Sequence, residues 1–166
     1  MYKYSIFKTP LGYMGAVRSE KGLHKIVLPR GDELQIKKEL SQHYLELERD
    51  EKAFKILREK MRFYFEGQEI DFDEKMDLRG STPFELKVWD MTIGIQRGEV
   101  CSYEWIAKQI GNPKEAQAVG QALGRNRLPI IIPCHRVIKK AGDIGGFSGG
   151  AEMKRKLLKL EGYLLC

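Results

Sequence analysis

The first hundred residues contain no cysteine, and the whole chain of 166 has three, Cys101, Cys134 and Cys166. They are odd in number, widely spaced and without a Cys-x-x-Cys pair or a His-rich cluster nearby, so neither a disulfide framework nor a structural zinc site is indicated. No apolar stretch reaches 18 residues, which excludes a membrane-spanning helix, and Met1 to Pro10 lacks the basic start and apolar centre of a signal peptide. A cytoplasmic protein without membrane partners is expected, or a nuclear one if the source is eukaryotic. A Gly-x-x-x-x-Gly-Lys-Ser/Thr phosphate loop is also missing. What remains is 42% hydrophobic and 31% charged, the composition of a soluble globular protein of one ordinary domain or two small ones.

The charge is unevenly placed. Residues 1–80 carry 16 Lys+Arg against 15 Asp+Glu, whereas residues 81–166 carry 13 against 8, so the excess lies in the second half. A basic surface suits a polyanion, because neutralised phosphates release counterions.

In the first third, Tyr2–Phe7, Gly12–Val17 and Gly22–Leu28 alternate polar and apolar residues or sit between turn residues, as three strands of an antiparallel meander. Helical composition runs from Asp32 to Glu46. A second helix follows from Phe54, Leu57, Met61 and Phe65 and stops at Gly67. His24 and His43, with no ligand cluster around them, are expected in surface or packing roles. The segment Asp71 to Gly80 is acidic and irregular, a linker into a second unit, so the expected division is 1–76 as an α/β domain and 77–166 as a mainly α domain.

The second unit opens with Thr82 as N-cap, Pro83 at the first helical position and Glu85 completing a capping box, with Phe84, Val88 and Met91 as the apolar face. After a new start at Ser102 a helix is predicted over Tyr103 to Ile110. Gly111-Asn112-Pro113 then breaks the chain, with Asn112 and Pro113 starting another helix over about Lys114 to Leu123. Val119, Ala122 and Leu123 point inward in that helix, leaving Lys114, Gln117, Ala118 and Gln121 on the outer face. Two short helices about a Gly-containing turn form a helix-turn-helix pattern, a shape that helical hairpins without DNA also take. The second helix is nearly free of bulk at Ala116, Ala118, Gly120 and Ala122, which lets its backbone approach a groove closely.

Next comes Ile130-Ile131-Ile132-Pro133-Cys134-His135-Arg136-Val137. Its apolar run is long enough for a short buried strand and too short for a helix, so the cysteine is expected where a core strand surfaces. A thiolate is the reactive form of cysteine, and a neighbouring base promotes it. Adjacent strand residues face opposite ways, so His135 is expected to reach the sulfur only through a turn or a bridging water. The plainer alternative is a small buried hydrophobe. A glycine-rich loop follows, Gly142, Gly145, Gly146, Gly149 and Gly150 around Phe147-Ser148. The last predicted helix, Ala151 to Leu160, is expected to expose Lys154, Arg155, Lys156 and Lys159 and to end at Glu161.

Together these segments resemble the O6-alkylguanine-DNA alkyltransferase family. The match runs from about Asp77–Phe84 to Leu160-Glu161-Gly162. Its most specific motif is Pro133-Cys134-His135-Arg136-Val137 after the isoleucine run, supported by Ser102-Tyr103, Gly111-Asn112-Pro113, Ala118-Val119-Gly120, Asn126, Ser148-Gly149-Gly150 and Leu157-Leu158.

The resemblance implies repair of O6-alkylguanine in double-stranded DNA, with O4-alkylthymine as a further candidate lesion. The nucleotide would be extruded through the minor groove and its alkyl group moved once and irreversibly to Cys134, by a monomer that needs no cofactor and no metal. By the same resemblance His135 and Glu161 form a water-linked chain that withdraws the thiol proton, Tyr103 supplies a proton or hydrogen bond to the base, and Asn126 holds the turn before the cysteine. Ser102, Lys114, Gln117, Ala118, Gln121, Arg125 and Arg127 would face DNA, and Pro129, Val137, Gly145, Phe147 and Ser148 would form the substrate pocket.

Two positions depart from the pattern. Gln117 stands where many members carry an arginine, losing the charge-assisted bonds, with Arg125 or Arg127 as substitutes. Phe147 stands where a tyrosine is frequent. Binding-only relatives lack the reactive cysteine, and a cysteine hydrolase needs no DNA-reading helices. A DNA-binding regulator or damage-recognition module with a structural cysteine is the remaining alternative.

Overall fold

The computed structural model describes residues Met1 to Tyr163. The chain divides between Arg79 and Gly80 into two compact units. The first is an α/β unit with an antiparallel meander and helices, and the second is mainly helical, in accord with the sequence-based fold class.

In the first unit β1 (Tyr2–Thr9), β2 (Gly12–Ser19) and β3 (Gly22–Val27) form the expected meander. A fourth strand escapes sequence reading: helix α1 (Glu33–His43) ends early, and Leu47–Arg49 forms β4, parallel to β1, giving the order β3-β2-β1-β4. Three residues are too few to show an alternation. Helix α1 starts at a capping box between Asp32 and Gln35 and lays Ile36 and Leu40 against Tyr4, Ile6, Val17 and Val27. A Cβ at position 15 would stand 2.7 Å from the Ile36 side chain, so a larger residue there would have to displace that buried contact. Helix α2 (Lys55–Phe65) buries Leu57, Met61, Tyr64 and Phe65, while Phe54 belongs to the tight 3-10 turn before it.

The stretch expected as an irregular linker is partly docked. Leu23 donates to the Lys75 carbonyl at 2.8 Å and Asp77 donates back to Leu23 at 2.7 Å. Asp77 is buried, and its carboxyl is held far below the usual range by the Arg79 guanidinium, against the effect of burial and with help from the Ser19 hydroxyl. His24 packs as expected, its ring against Tyr2 and Tyr44 and its Nδ1 2.6 Å from the Tyr44 hydroxyl.

In the second unit α3 (Pro83–Ile93) begins at the expected Thr82–Glu85 capping box. The buried face differs from expectation: Glu85, Val88, Trp89 and Thr92 are inside, and Phe84 and Met91 are half-buried. The Trp89 indole decides the rotation, because its Nε1 donates to the Ala122 carbonyl at 2.9 Å and the large ring is almost wholly enclosed. Strand β5 (Cys101–Ser102) runs into α4 (Tyr103–Gln109), with the Ser102 hydroxyl capping Trp105. Helix α5 (Ala116–Gly124) starts later than predicted. Asn112 and Pro113 lie in a turn closed by a bond from the Glu115 amide to the Asn112 carbonyl, and Glu115 rather than Asn112 is the N-cap.

The isoleucine run is not a strand. Ile130 takes a φ of +76°, the one positive φ at a non-glycine among the described residues, and the Ile132 amide turns back to the Leu128 carbonyl at 2.9 Å. Pro129 and Pro133 withhold two amide donors, so a compact turn replaces a ladder. A β-branched residue in the left-handed region costs on the order of 1–2 kcal/mol, offset by burial of Ile130, Ile131 and Ile132. After a 3-10 turn over Cys134–Arg136, β6 (Val137–Ile138) pairs in parallel with β5. Helix α6 (Ala151–Leu160) closes the described chain at the expected bounds. Cys166 lies outside the described residues.

Candidate functional site

The turn that replaces the strand delivers Cys134 to the C-terminal side of α5. Asn126, just past the end of that helix, holds the turn by three bonds. Its Oδ1 accepts from Leu128 N at 2.8 Å, and its Nδ2 donates to the Ile132 carbonyl at 2.9 Å and to Cys134 Sγ at 3.2 Å. Cys134 is 5% exposed. Burial raises its thiol pKa, opposed by the Asn126 bond and by the charge of Lys154, so the resting group is the neutral thiol.

Because residues 134–136 form one 3-10 turn, His135 points into the protein, fully buried. Its Nε2 lies 2.8 Å from Glu161 Oε2. Arg136 binds the same carboxylate, through Nε at 2.8 Å and an η nitrogen at 3.0 Å, and reaches the Ile95 carbonyl at 2.6 Å. Burial works against the Glu161 charge, yet the bonds from His135 and Arg136 prevail and hold its carboxyl well below the usual range. Burial lowers the His135 pKa despite Glu161. A neutral imidazole beside an ionised carboxylate carries its proton on Nε2. Nδ1 is then a lone-pair acceptor, and it is buried without a hydrogen-bond partner among the described residues.

The sequence missed Lys154, expected on the exposed face of α6 and found completely buried. Its Nζ donates to the Val137 carbonyl at 2.6 Å, the Gly146 carbonyl at 3.1 Å and the Tyr103 hydroxyl at 3.3 Å. Burial pulls its pKa down to about 8, opposed by Cys134, which leaves the ammonium mostly charged at neutral pH. Burial also raises the Tyr103 pKa, with Cys134 and Glu104 adding to it, so the phenol keeps its proton. The available signal was the spacing: Lys154 shares one helical face with Leu157, Leu158 and Glu161, all buried. Arg136 lies within the cysteine motif, and its fork fits the Glu161 carboxylate, a pairing that the motif alone does not signal.

A cavity of about 770 Å³ opens over Cys134 and is lined by Tyr103, by Gln117, Gly120 and Gln121 of α5, and by Phe147 and Ser148 of the glycine-rich loop. Gly145, also expected in the pocket wall, is outside this lining and sits against Tyr103, where a Cβ would stand 2.6 Å from the hydroxyl. Pro129 and Val137, expected in the pocket wall, are buried and outside this lining; Val137 turns its carbonyl to Lys154 instead.

The expected DNA-facing residues scatter more widely. Gln117 and Gln121 are exposed along α5, and Ala118 is half-buried between them. Lys114 is exposed in the connection before α5, and Ser102 is half-buried as a cap. Arg125 is exposed with a guanidinium nitrogen 3.4 Å from Glu85, and Arg127 is half-buried.

A buried thiol beside a His–Glu pair, opening into a pocket walled by a small-residue helix, defines a cysteine-centred group-transfer site. Residues 83–163 match the family described as 6-O-methylguanine DNA methyltransferase, DNA binding domain, and residues 2–78 match its ribonuclease-like domain. The chain belongs to the 6-O-methylguanine DNA methyltransferase family.

A relative from Methanosarcina acetivorans named methylated-DNA–protein-cysteine methyltransferase is 38% identical over 159 residues, spanning 96% of this chain and 97% of that protein. One of the same name from Mycobacterium tuberculosis is 46% identical over 112 residues, 68% of this chain and 67% of that one. The crystal structure of Mycobacterium tuberculosis OGT in complex with DNA superposes with a TM-score of 0.82 at 36% identity, covering 96% of this chain and 92% of the other. The O6-methylguanine-DNA methyltransferase of Pyrococcus kodakaraensis gives 0.71 at 28%, covering 98% and 99%. Among the described residues no helix is long and apolar enough to cross a membrane.

Proposed function

We propose that this chain repairs DNA by taking the alkyl group of O6-alkylguanine onto Cys134, once per molecule. The observation that carries the reading is the placement of Cys134 Sγ at a cavity walled by α5, with a buried, neutral His135 as its chain neighbour.

The alkyl carbon of such a lesion lies inside the duplex, so the nucleotide leaves the stack and enters the cavity. Helix α5 approaches through the minor groove, and its glycines and alanines let the backbone come close. The thiol proton passes to His135 Nδ1 through a bridging water, and Glu161 stabilises the imidazolium, with Arg136 holding the carboxylate in place. The sulfur attacks the alkyl carbon in line as the carbon–oxygen bond breaks, and the electron pair of that bond passes into the guanine. Tyr103 donates a proton to the ring and is reprotonated through the site, so in sum the thiol proton ends on guanine and the alkyl group on sulfur. A thioether offers water no leaving group of comparable quality, which makes the event single-turnover.

Gln117 fills the gap in the stack without a charge, and the protein works as a monomer. O4-alkylthymine, which presents the same alkyl–oxygen bond, is a second substrate class.

Intact mass after incubation with excess duplex carrying O6-methylguanine tests the reading. The wild type gains one methylene mass on Cys134 and stops at one equivalent; Cys134→Ser gains none. Tight lesion-selective binding with no mass gain in the wild type would replace the transferase by a damage-recognition module.

A further inference from the structure

The rim of the cavity presents an electrostatic problem that α5 does not solve. The lining residues of that helix, Ala116, Gln117, Gly120, Gln121 and Gly124 among them, carry no positive charge. An extruded nucleotide stays joined to its strand through a 5′ and a 3′ phosphodiester, and once its base fills the cavity both phosphates must lie at the mouth. Two anions set against a neutral rim lose hydration without gaining a partner.

The cationic residues lining the cavity, among the described ones, are Lys139 and Lys140. Both are exposed, and neither forms an ion pair among the described residues. They are not on a loose tail. The Lys139 amide donates to the Asp143 carbonyl at 2.7 Å and the Gly142 amide returns to the Lys139 carbonyl at 2.9 Å, closing a tight turn directly after β6. Strand β6 pairs Val137 with Cys101 and Ile138 with Ser102, which ties the base of that turn to the start of α4 and so to Tyr103. Glu104, the one carboxylate in the lining, leaves the rim with a net charge of +1.

We propose that Lys139 and Lys140 are a phosphate clamp that engages the two phosphodiesters flanking the lesion after the nucleotide has been extruded. The clamp supplies from the loop side the charge that α5 lacks, and it favours the flipped state over the stacked one. In undamaged, stacked DNA those phosphates stay on the duplex contour, away from the cavity mouth, so the lysines contribute little there. The proposal rests on the alkyl-transfer reading.

The test measures binding against salt in a Cys134→Ser background, which prevents reaction, on two duplexes differing only by O6-methylguanine. Each neutralised phosphate contributes about 0.9 to the slope of log K against log salt. Lys139→Gln with Lys140→Gln is expected to reduce the slope by about 1.8 on the lesion duplex and by much less on the undamaged one. Lys139→Arg with Lys140→Arg is expected to keep the wild-type slope, because charge is what the phosphates need. Thermal melting of each variant confirms that it is folded.

Equal losses on both duplexes would make the lysines generic surface charge and overturn the clamp, as would an unchanged slope on the lesion duplex. Failure of the transfer reading is read separately, in the mass of the Cys134-containing wild type. A wild type that takes up the alkyl group while the slopes stay unchanged overturns the clamp alone.

Discussion

The carboxamide of Asn126 and the sulfur of Cys134 are 3.2 Å apart, with Nδ2 donating to Sγ. The same nitrogen holds the Ile132 carbonyl, and the oxygen holds the Leu128 amide. One side chain therefore fixes the turn and donates to the sulfur, a bond that would stabilise the thiolate of the proposed reaction. Asn126→Ala strands two buried backbone groups and is expected to lower stability by about 2–4 kcal/mol. Asn126→Asp keeps an acceptor for Leu128 while setting a negative charge against the sulfur. Single-turnover transfer by the Asp variant should fall at least ~10-fold, with its pH profile displaced to the alkaline side. An Asp variant with unaltered rate and profile would remove Asn126 from thiolate stabilisation.

How far this site was legible in the sequence divides along a physical line. The Thr82–Glu85 capping box, the meander of three strands and the bounds of α6 depend on local chemistry, and the structure agrees with them. Local pattern places Lys154 outside because lysine is a surface residue in almost every other setting; the Val137 and Gly146 carbonyls and the Tyr103 hydroxyl, none a helical neighbour, make its burial tolerable. The isoleucine run reads as a strand in the sequence because a φ of +76° at Ile130 has no local signature: it follows from the closure between Leu128 and Ile132. Strand β4 needs its partner β1 to exist at all.

His135 supplies a pH prediction whose sign follows from burial. Its folded pKa lies below 6.5, so as pH falls through that value the unfolded chain takes a proton that the native chain refuses. Stability is expected to fall below pH 6.5 by up to about 1.4 kcal/mol per pH unit from this group, with no contribution above it. Glu161 acts in the same direction at lower pH, its stabilisation being lost as pH falls from 4.5 toward its depressed native value. Urea midpoints at pH 7.5, 6.5 and 5.5 should show the wild type weakening and His135→Gln losing that part of the dependence. Parallel curves for the two proteins would mean that burial does not lower the His135 pKa in the native state.

Lys154 acts in the same sense in a more alkaline window. Its folded pKa of about 8 against an ordinary 10.5 means that, between those values, the unfolded chain holds a proton the native chain has released. Stability attributable to this residue therefore rises with pH across that interval. Lys154→Met removes the dependence and leaves the Val137 and Gly146 carbonyls without their donor, for a loss of about 2–4 kcal/mol near neutral pH. Tyr103 loses a bond as well, so transfer should slow by about 10-fold or more. The check is the difference in urea stability between wild type and variant at pH 7.5 and 9.5: it should widen with pH, and a constant difference would mean that burial leaves the Lys154 pKa unshifted.

Gly145 bears on which alkyl groups the pocket admits. Its φ is +75°, and a Cβ would stand 2.6 Å from the Tyr103 hydroxyl and 3.0 Å from the ring. Gly145→Ala must therefore move either the loop or the phenol, and the left-handed backbone adds about 1 kcal/mol of strain. Moving the phenol withdraws the proposed proton donor, and moving the loop displaces its neighbours Gly146, Phe147 and Ser148, narrowing the cavity over Cys134 where they close on it. Both slow transfer, but only narrowing depends on the size of the alkyl group. Single-turnover rates with O6-methylguanine and O6-benzylguanine separate the two. The alanine variant should lose several-fold on the methyl lesion and at least ~10-fold more on the benzyl one, because a methyl group clears a narrowed wall that a ring does not. Equal losses on both substrates would assign Gly145 to holding Tyr103 rather than to shaping the pocket.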